Sequence, residues 1–155
     1  MKDNAELGQL LEAFVNRVSH PRGRVLTFLA ASSVTVSQTI LLNFAFTLHG
    51  STPSSLASLM NMSLTSVSEM VERLVRLGLA KRAEDPNDRR RKTIEITEKG
   101  RTLLMRLKAV RSAEFTAGTA SLSDTTRQRL SEVLSQALKE LDASKDLRIR
   151  GEFHD

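Results

Sequence analysis

The stretch that decides the fold runs from Leu56 to Thr97 and reads LASLMNMSLTSVSEMVERLVRLGLAKRAEDPNDRRRKTIEIT. Its first part has apolar residues at the spacing of a short helix, and a tight break follows. A second apolar stripe begins after Ser63, whose hydroxyl group is placed to cap a helix, and Gly78 ends it. Two short β-type segments come next, Leu79–Ala83 and Lys92–Thr97. The order of helix, turn, helix and two-stranded ribbon is typical of a winged helix-turn-helix fold.

The second helix of this stretch carries the residues that we expect to face a partner. Helical spacing predicts a buried side made of Leu64, Val67, Met70, Val71 and Leu74. The opposite side then exposes Thr65, Ser66, Ser68, Glu69, Glu72, Arg73 and Arg76. Short hydroxyl side chains at the start of a helix let its backbone approach the base edges of DNA, and arginines further along suit phosphates.

The tip of the ribbon is strongly basic. Between Glu72 and Lys92, eight basic side chains stand against four acidic ones, a surplus of four in a chain whose net charge is +5. Taken alone, such a run is equally typical of a solvated loop, but its place between two strands favours DNA. A guanidinium group on a ribbon can enter the minor groove, and we expect Asp88 to hold a neighbouring arginine in place. The predicted DNA contacts are Ser63, Thr65, Ser66, Ser68, Glu69, Arg73, Arg76, Arg82, Asp88, Arg89, Arg90, Arg91 and Lys92, with Arg90 as the minor-groove residue.

Three apolar segments precede the central stretch. Asp3–Ser19 has the spacing of an amphipathic helix, and Arg24–Ala31 fits one or two helical turns. Val36–His49, capped by Thr35, fits a helix with more than one apolar side and is expected to be central. We expect one apolar side to consist of Val36, Ile40, Leu41, Phe44 and Leu48, and a second apolar side to consist of Leu42 and Phe46. Ser54 is expected to start the following helix, Ser55–Met60, with Leu56, Ala57, Leu59 and Met60 facing inward.

Two longer helices follow the ribbon. Thr97 is placed to cap a helix from Glu98 to about Thr116, and Ser123 or Asp124 to cap the last one. The apolar stripe of that last helix is formed by Leu130, Val133, Leu134, Ala137, Leu138 and Leu141. The terminal helices need a surface on which to bury their stripes, and a helical bundle shared across a two-fold axis provides one. The sequence thus predicts a mainly α fold with a minor β part: one domain over residues 1–155, a winged helix-turn-helix over 36–100, and helical dimerisation regions over 1–33 and 101–147.

Composition narrows the class of partner. A pI near 10.1 favours a polyanion, either nucleic acid or an anionic membrane surface. The stretch Val25–Leu48 has no charged residue and is long enough to span a bilayer, but polar side chains fill its middle, so we expect a buried helix pair and no membrane span. The acidic start of the chain does not have the pattern of a signal peptide, and we expect a cytoplasmic protein.

The patterns of catalytic and metal sites do not occur in the sequence. There is no GxSxG, GxGxxG or P-loop motif and no cysteine. His20, His49 and His154 are far apart and lack carboxylates at ligand spacing. We therefore expect no enzymatic activity, no cofactor and no metal. The alternative to a DNA-binding regulator is a basic peripheral membrane or protein-interaction module without operator specificity.

The central stretch resembles the MarR family of bacterial transcriptional regulators. Leu56-Ala57 through Ser63 to Arg73-Leu74 and Gly78-Leu79 is similar to the two-helix part of that family. Asp85-Pro86-x-Asp88-Arg89-Arg90, then Ile94, Ile96 and Thr97-Glu98-Lys99-Gly100, resembles its wing and the junction to the next helix. The resemblance covers 45 contiguous residues, 56 to 100, and elsewhere extends only to the order of helices.

The resemblance implies a homodimer whose terminal helices form the dimer core. It implies a palindromic, double-stranded DNA operator, usually bound as a repressor, and release by a small aromatic or anionic effector. The chain has no Tyr or Trp, so an aromatic carboxylate or an acyl-CoA would stack on phenylalanines, and Arg22 and Arg24 could meet its anionic group. Solvated helix-end charges and core phenylalanines are the simpler alternative. The effector residues predicted on this basis are Arg22, Arg24, Phe28, Leu41 and Phe44.

Two positions depart from the family pattern. Glu69 stands where many relatives have a basic or neutral contact residue, and Leu64 where a polar residue is common. Glu69 could accept a hydrogen bond from cytosine N4 or face an arginine. The lack of Cys argues against the oxidant-sensing branch of the family.

Overall fold

The computed structural model describes residues 4–19, 23–84 and 91–151, with side chains described as far as residue 143. These residues form seven helices and one antiparallel two-stranded sheet. In chain order the elements are α1 (Asn4–Ser19), α2 (Arg24–Ala31), α3 (Val36–Thr47), α4 (Pro53–Met60), α5 (Leu64–Arg76), β1 (Ala80–Glu84), β2 (Lys92–Ile96), α6 (Glu98–Gly118) and α7 (Asp124–Gly151). The chain divides into two compact units, residues 1–115 and 116–155. The mainly α class with a minor β part is confirmed.

Hydroxyl side chains cap the starts of α3 and α4. Thr35 caps α3 as predicted, and Gln38 completes a reciprocal capping box by accepting the backbone N–H of Thr35 at 3.0 Å. The prediction that Ser54 starts the next helix is wrong: Thr52 is the cap of α4, and its partner in a second capping box is Ser55. Pro53 takes the first helical position, where its missing N–H costs nothing.

The core of the first unit lies where α3, α4 and α5 meet the sheet. Its fully buried side chains are Leu41, Leu42, Leu56, Val67, Val71, Leu74 and Ile94. They come from α3, α4, α5 and β2, and α3 packs against α4, α5 and β2. The prediction that α3 is central is therefore correct, and this small core fixes the orientation of α5.

Several predicted core positions are exposed. On α3 the buried side holds Gln38, Thr39, Leu41, Leu42 and Ala45, whereas Val36, Ile40, Phe46 and Leu48 are exposed. Leu59 on α4 and Leu64 on α5 are also exposed. On β2, Thr93 is buried together with Ile94 and Ile96, so burial does not alternate along this strand. The predicted sides were wrong because the choice of buried side depends on which elements pack there, and the helical period does not specify that.

The sheet is joined to the helices through Thr97. Its hydroxyl donates to the carbonyl of Gly78 at 2.7 Å and accepts the backbone N–H of Gly100 at 3.1 Å, so the predicted cap of α6 is confirmed. A Cβ at Gly100 would overlap the carbonyl oxygen of Leu79 and lie 2.7 Å from Ile96 Cγ1. Glycine is therefore required where α6 crosses the start of the ribbon.

Apolar stripes remain exposed on both α1 and α7. On α1 of the first unit these are Leu7, Leu10, Leu11 and Val15. On α7 of the second unit, which Ser123 caps through the backbone N–H of Thr126, they are Val133, Leu134, Leu138 and Leu141. Contiguous exposed apolar stripes generally mark an interaction site.

Among the described residues, no single helix is long and apolar enough to cross a membrane. Only α2 and α3 taken together have the length and apolar composition of a membrane span, and the two helices are bent by 82° at the break between them.

Candidate nucleic-acid interface

Helix α5 is fixed by one side and leaves the other available to a partner. Val67, Val71 and Leu74 are buried against the core, and Ser63 Oγ accepts the backbone N–H of Ser66 at 3.1 Å, as predicted for a cap. Because the buried residues recur every three or four positions, the opposite side faces solvent. That side exposes Thr65, Glu69, Glu72, Arg73 and Arg76.

The hydroxyl groups at the start of α5 are partly enclosed. Ser66 and Ser68 are half-buried, so the prediction that both are exposed is wrong. Ser63 Oγ donates to Ser66 Oγ at 2.8 Å, which fixes the position of both oxygens at the N-terminus of the helix. An N-terminus that presents ordered hydroxyl groups suits contacts with phosphate oxygens and base edges.

Glu72 lies between two arginines that were predicted to bind DNA. One of its carboxylate oxygens is 3.9 Å from Arg76 Nη1 on the same helix, and the other is 3.8 Å from Arg82 Nη2 on β1. All three side chains are largely exposed, so these ion pairs are weak, of the order of 0–1 kcal/mol. They bring the guanidinium groups of α5 and β1 together at one surface and leave both free to exchange the carboxylate for a phosphate.

Arg73 connects α5 to the turn before α3. Its Nη2 donates to the carbonyl oxygen of Ser33 at 3.3 Å, across 40 positions of sequence. Ser33 has a positive φ of 56°, a conformation that directs the chain from α2 into α3. Arg73 is therefore exposed and oriented at the same time, although the sequence predicted only that it is exposed.

The strands of the ribbon are tied by two cross-strand ion pairs. Lys81 Nζ lies 2.9 Å from Glu95, and Lys92 Nζ lies 2.8 Å from Glu84, in an antiparallel register that pairs Glu84 with Lys92 directly. The hydrogen bond from Lys92, and then its positive charge, hold the pKa of Glu84 below its usual range. Lys92 was predicted as a DNA contact, and the structure gives it a second role as the partner of Glu84.

The tip of the ribbon contains predicted contacts that lie outside the described residues, namely Asp88, Arg89 and Arg90. The prediction for these three stays a prediction. Arg91, at the end of the described ribbon, is exposed, and so is Arg82 on β1. Among the predicted residues that are described, α5 and the ribbon thus form one surface with exposed guanidinium groups.

The predicted effector residues do not form one group. Arg22 lies outside the described residues, and Arg24 is exposed at the start of α2. Phe28 is half-buried with the guanidinium of Arg106 5.7 Å from its ring centroid, while Leu41 is fully buried in the core. Phe44 lines an open cavity of about 500 Å³ between α3 and α6.

This cavity, which we call the α3–α6 cavity, contains basic residues that sequence reasoning missed. Its lining includes Phe46, Met105, Lys108 and Arg111 besides Phe44. Arg101 lies one helical turn before Met105, with its guanidinium 5.5 Å from the Phe46 ring centroid. No local pattern indicates these residues, because they meet only when α6 packs beside α3.

Comparison with known proteins agrees with the geometry. The family model described as winged helix DNA-binding domain matches residues 34–100. The transcriptional regulator Tm0710 from Thermotoga maritima has a similar structure, with a TM-score of 0.77 and 20% identity over 91% of this chain and 97% of its own. A MarR family protein from Bacillus stearothermophilus gives a TM-score of 0.67 and 22% identity, with 89% of this chain and 94% of its own covered.

A further structural match has a ligand. CouR from Rhodococcus jostii RHA1, bound to p-coumaroyl-CoA, gives a TM-score of 0.55 and 25% identity, with 88% of this chain and 95% of its own covered. No curated protein sequence matches the chain.

Proposed function

Residues 34–100 are a winged helix DNA-binding domain in a chain with the fold of MarR family regulators, and from this premise we propose that the protein is a homodimeric repressor of transcription. Its proposed target is a palindromic operator in double-stranded DNA. The observation that carries the proposal is the exposed side of α5, whose buried side fixes it to the core. Its free side presents Arg73, and Arg76, which Glu72 links to Arg82.

Residues along α5 have different proposed tasks. Ser66, Ser68 and Glu69 lie on the first two turns, where side chains of an inserted helix meet base edges, and they influence the choice of sequence. Arg73, Arg76, Arg89 and Arg91 neutralise phosphates and therefore supply mainly salt-dependent affinity. Arg90 enters the minor groove from the wing. Exposed Glu69, which is an acceptor, favours a cytosine in the site.

The dimer proposal rests on the apolar stripes of α1 and α7. Each stripe belongs to a helix of the proposed dimerisation regions, 1–33 and 101–147, and each is exposed within its own unit. A second copy of the chain covers such surfaces through a self-complementary interface. Two-fold symmetry then puts two α5 helices in successive major grooves, about 34–36 Å apart.

The proposed effector is an amphipathic anion, either an aromatic carboxylate or an acyl-CoA. The α3–α6 cavity supports this class because Phe44 and Phe46 offer apolar rings and Lys108 and Arg111 offer positive charge. The ligand of CouR has the same character of an aromatic group joined to an anionic carrier. An effector in this cavity should raise the melting temperature of the protein and lower its affinity for DNA, because it binds one of two states preferentially.

The first test separates DNA from a membrane surface. The protein should bind duplex DNA with an affinity that falls steeply as salt rises, and it should not sediment with anionic phosphatidylserine vesicles at the same salt. Vesicle binding without DNA binding would favour the alternative, a basic peripheral membrane module.

The second test assigns the binding surface. Arg76→Ala should weaken binding to duplex DNA several-fold and reduce the slope of log affinity against log salt by about one contact. Arg129→Ala on α7 removes the same charge from an exposed site far along the sequence and serves as the control. Arg90→Ala should also weaken binding several-fold in a fluorescence anisotropy titration. Equal affinities for Arg76→Ala and Arg129→Ala would rule out α5 as the DNA-binding helix.

A further inference from the structure

The first residue of α5, Leu64, places an apolar side chain at the start of the helix that the proposed function inserts into DNA. It is 51% exposed, although helical spacing predicted that it is buried. Leu64 belongs neither to the buried core nor to the partly buried side chains that pack against that core. The fold therefore does not use Leu64 as a core residue, and its apolar surface is available to a partner.

The neighbours of Leu64 on α5 leave it open. In a helix, the residues three and four positions along lie on the same side, and for Leu64 these are Val67 and Ser68. Val67 is fully buried in the core, and Ser68 is a short side chain that is itself half-buried. Leu64 also lies outside 1–33 and 101–147, the regions in which we place the second copy of the chain. The proposed dimer interface therefore does not account for its exposed surface.

The position of Leu64 connects it to the proposed DNA contacts. Ser63, which caps α5, precedes it and Thr65 follows it, and both are exposed. In a helix-turn-helix protein, the N-terminal residues of the second helix contact base edges in the major groove. A leucine exposed elsewhere on a protein surface is common and needs no partner. Leu64 differs because insertion of the start of α5 into the groove brings its side chain against the bases.

The chemistry of a leucine side chain limits which base it can recognise. It has no hydrogen-bond donor or acceptor, whereas adenine, guanine and cytosine present polar groups at their major-groove edges. Covering those groups without offering a hydrogen bond is unfavourable. Thymine has a methyl group on its major-groove edge, on which an apolar side chain can pack. A contact with Leu64 therefore favours thymine over the other three bases.

We propose that Leu64 is a specificity-determining residue, which packs against the 5-methyl group of a thymine in each half-site of the operator. This role rests on the proposed function and makes it more specific, because it adds an apolar contact to the polar and charged contacts of α5. Each half-site then contains a thymine whose methyl group contributes to affinity. The contact neutralises no phosphate, so it adds discrimination between bases without adding to the salt dependence of binding.

The test replaces thymine by deoxyuridine, which removes only the methyl group. The duplex is one that the unaltered protein selects from a random library, and each thymine is replaced in turn, symmetrically in both half-sites. Fluorescence anisotropy at low salt should show one position at which the unaltered protein loses about ten-fold in affinity, or about three-fold for each methyl group. Leu64→Ser should bind the thymine duplex about ten-fold more weakly than the unaltered protein does. Because its side chain is too short to reach the base, deoxyuridine at that position should change its affinity less than about two-fold.

The control variant is Leu59→Ser, the same substitution at a leucine of α4 that is also 51% exposed. It should keep the full loss of affinity on replacement by deoxyuridine, and circular dichroism melting establishes that each variant is folded. If no thymine replacement weakened binding, or if Leu64→Ser kept the full loss, the role of Leu64 would be overturned while the proposed function stood. A protein that bound no duplex at all would overturn the proposed function and the role of Leu64 with it.

Discussion

At the scale of residues, Glu72 shows how an acidic side chain can belong to a surface that we propose binds DNA. It contacts Arg76 and Arg82 without enclosing either one, and both guanidinium groups remain largely exposed. Exposed ion pairs of this kind contribute little free energy. A phosphate can therefore replace the carboxylate of Glu72 at little cost. The spacing of Glu72 and Arg76 by four positions made that contact predictable, whereas the contact of Glu72 with Arg82 depends on how β1 packs against α5.

The cross-strand pair of Glu84 and Lys92 has a pH dependence that can be measured. Lys92 lowers the pKa of Glu84 in the folded protein, so the pair contributes stability above the usual titration range of a glutamate and loses it as the pH falls through the lowered value. We predict by NMR titration that Glu84 titrates below the usual range and that Lys92→Gln raises its midpoint. If Lys92→Gln left the titration midpoint of Glu84 unchanged, the assigned pairing would be contradicted. The pair contributes little to the free energy of unfolding, because Glu84 is exposed.

At the scale of elements, the sequence was informative where structure is local. The caps Thr35, Ser63 and Thr97 were predicted correctly, because a cap bonds to backbone within three residues of itself. The ranges of α1, α2 and α5 were also correct to within a residue or two. Of the predicted DNA contacts, Thr65, Glu69, Arg73 and Arg76 lie on the exposed side of α5 as expected.

The sequence failed where the outcome depends on packing between distant segments. Leu64 and Val36 satisfy the helical period, but no element covers them. Leu41 was predicted as an effector contact and instead fills the core, since α3 turns that side toward α4 and α5. The hydrogen bond from Arg73 to Ser33 joins residues 40 positions apart, and the one from the backbone N–H of Val25 to Glu114 joins residues 89 positions apart. Helical periodicity contains no information about contacts at that range.

Two leucines of α5 test how this helix is held. Leu74 is fully buried whereas Leu64 is 51% exposed, so the same truncation should have different effects. Leu74→Ala should lower the free energy of unfolding by about 2–5 kcal/mol because it leaves a cavity, and Leu64→Ala by less than about 1 kcal/mol. Urea denaturation followed by circular dichroism measures both. Comparable losses for the two variants would mean that the assigned buried side of α5 is wrong.

At the scale of the whole molecule, the proposed mode of DNA binding requires a second copy of the chain. Apolar stripes on α1 and α7 are exposed within their own units, and the proposed operator geometry requires two α5 helices. Leu134→Asp should shift the protein toward a monomer in sedimentation velocity, because a buried carboxylate without a partner opposes association. Gln128→Asp, on the same helix at an exposed polar position, should remain a dimer. A protein that is monomeric before any substitution would contradict both the dimer and the spacing of its DNA-binding helices.

In the proposed complex, two α5 helices occupy successive major grooves of one duplex. Selection of bound duplexes from a random library, followed by footprinting of the selected site, tests this arrangement. We expect enrichment of a palindrome whose half-sites are centred about 10–10.5 bp apart, with major-groove protection in each. Recovery of duplexes without a shared palindrome, or protection of a single half-site, would contradict it.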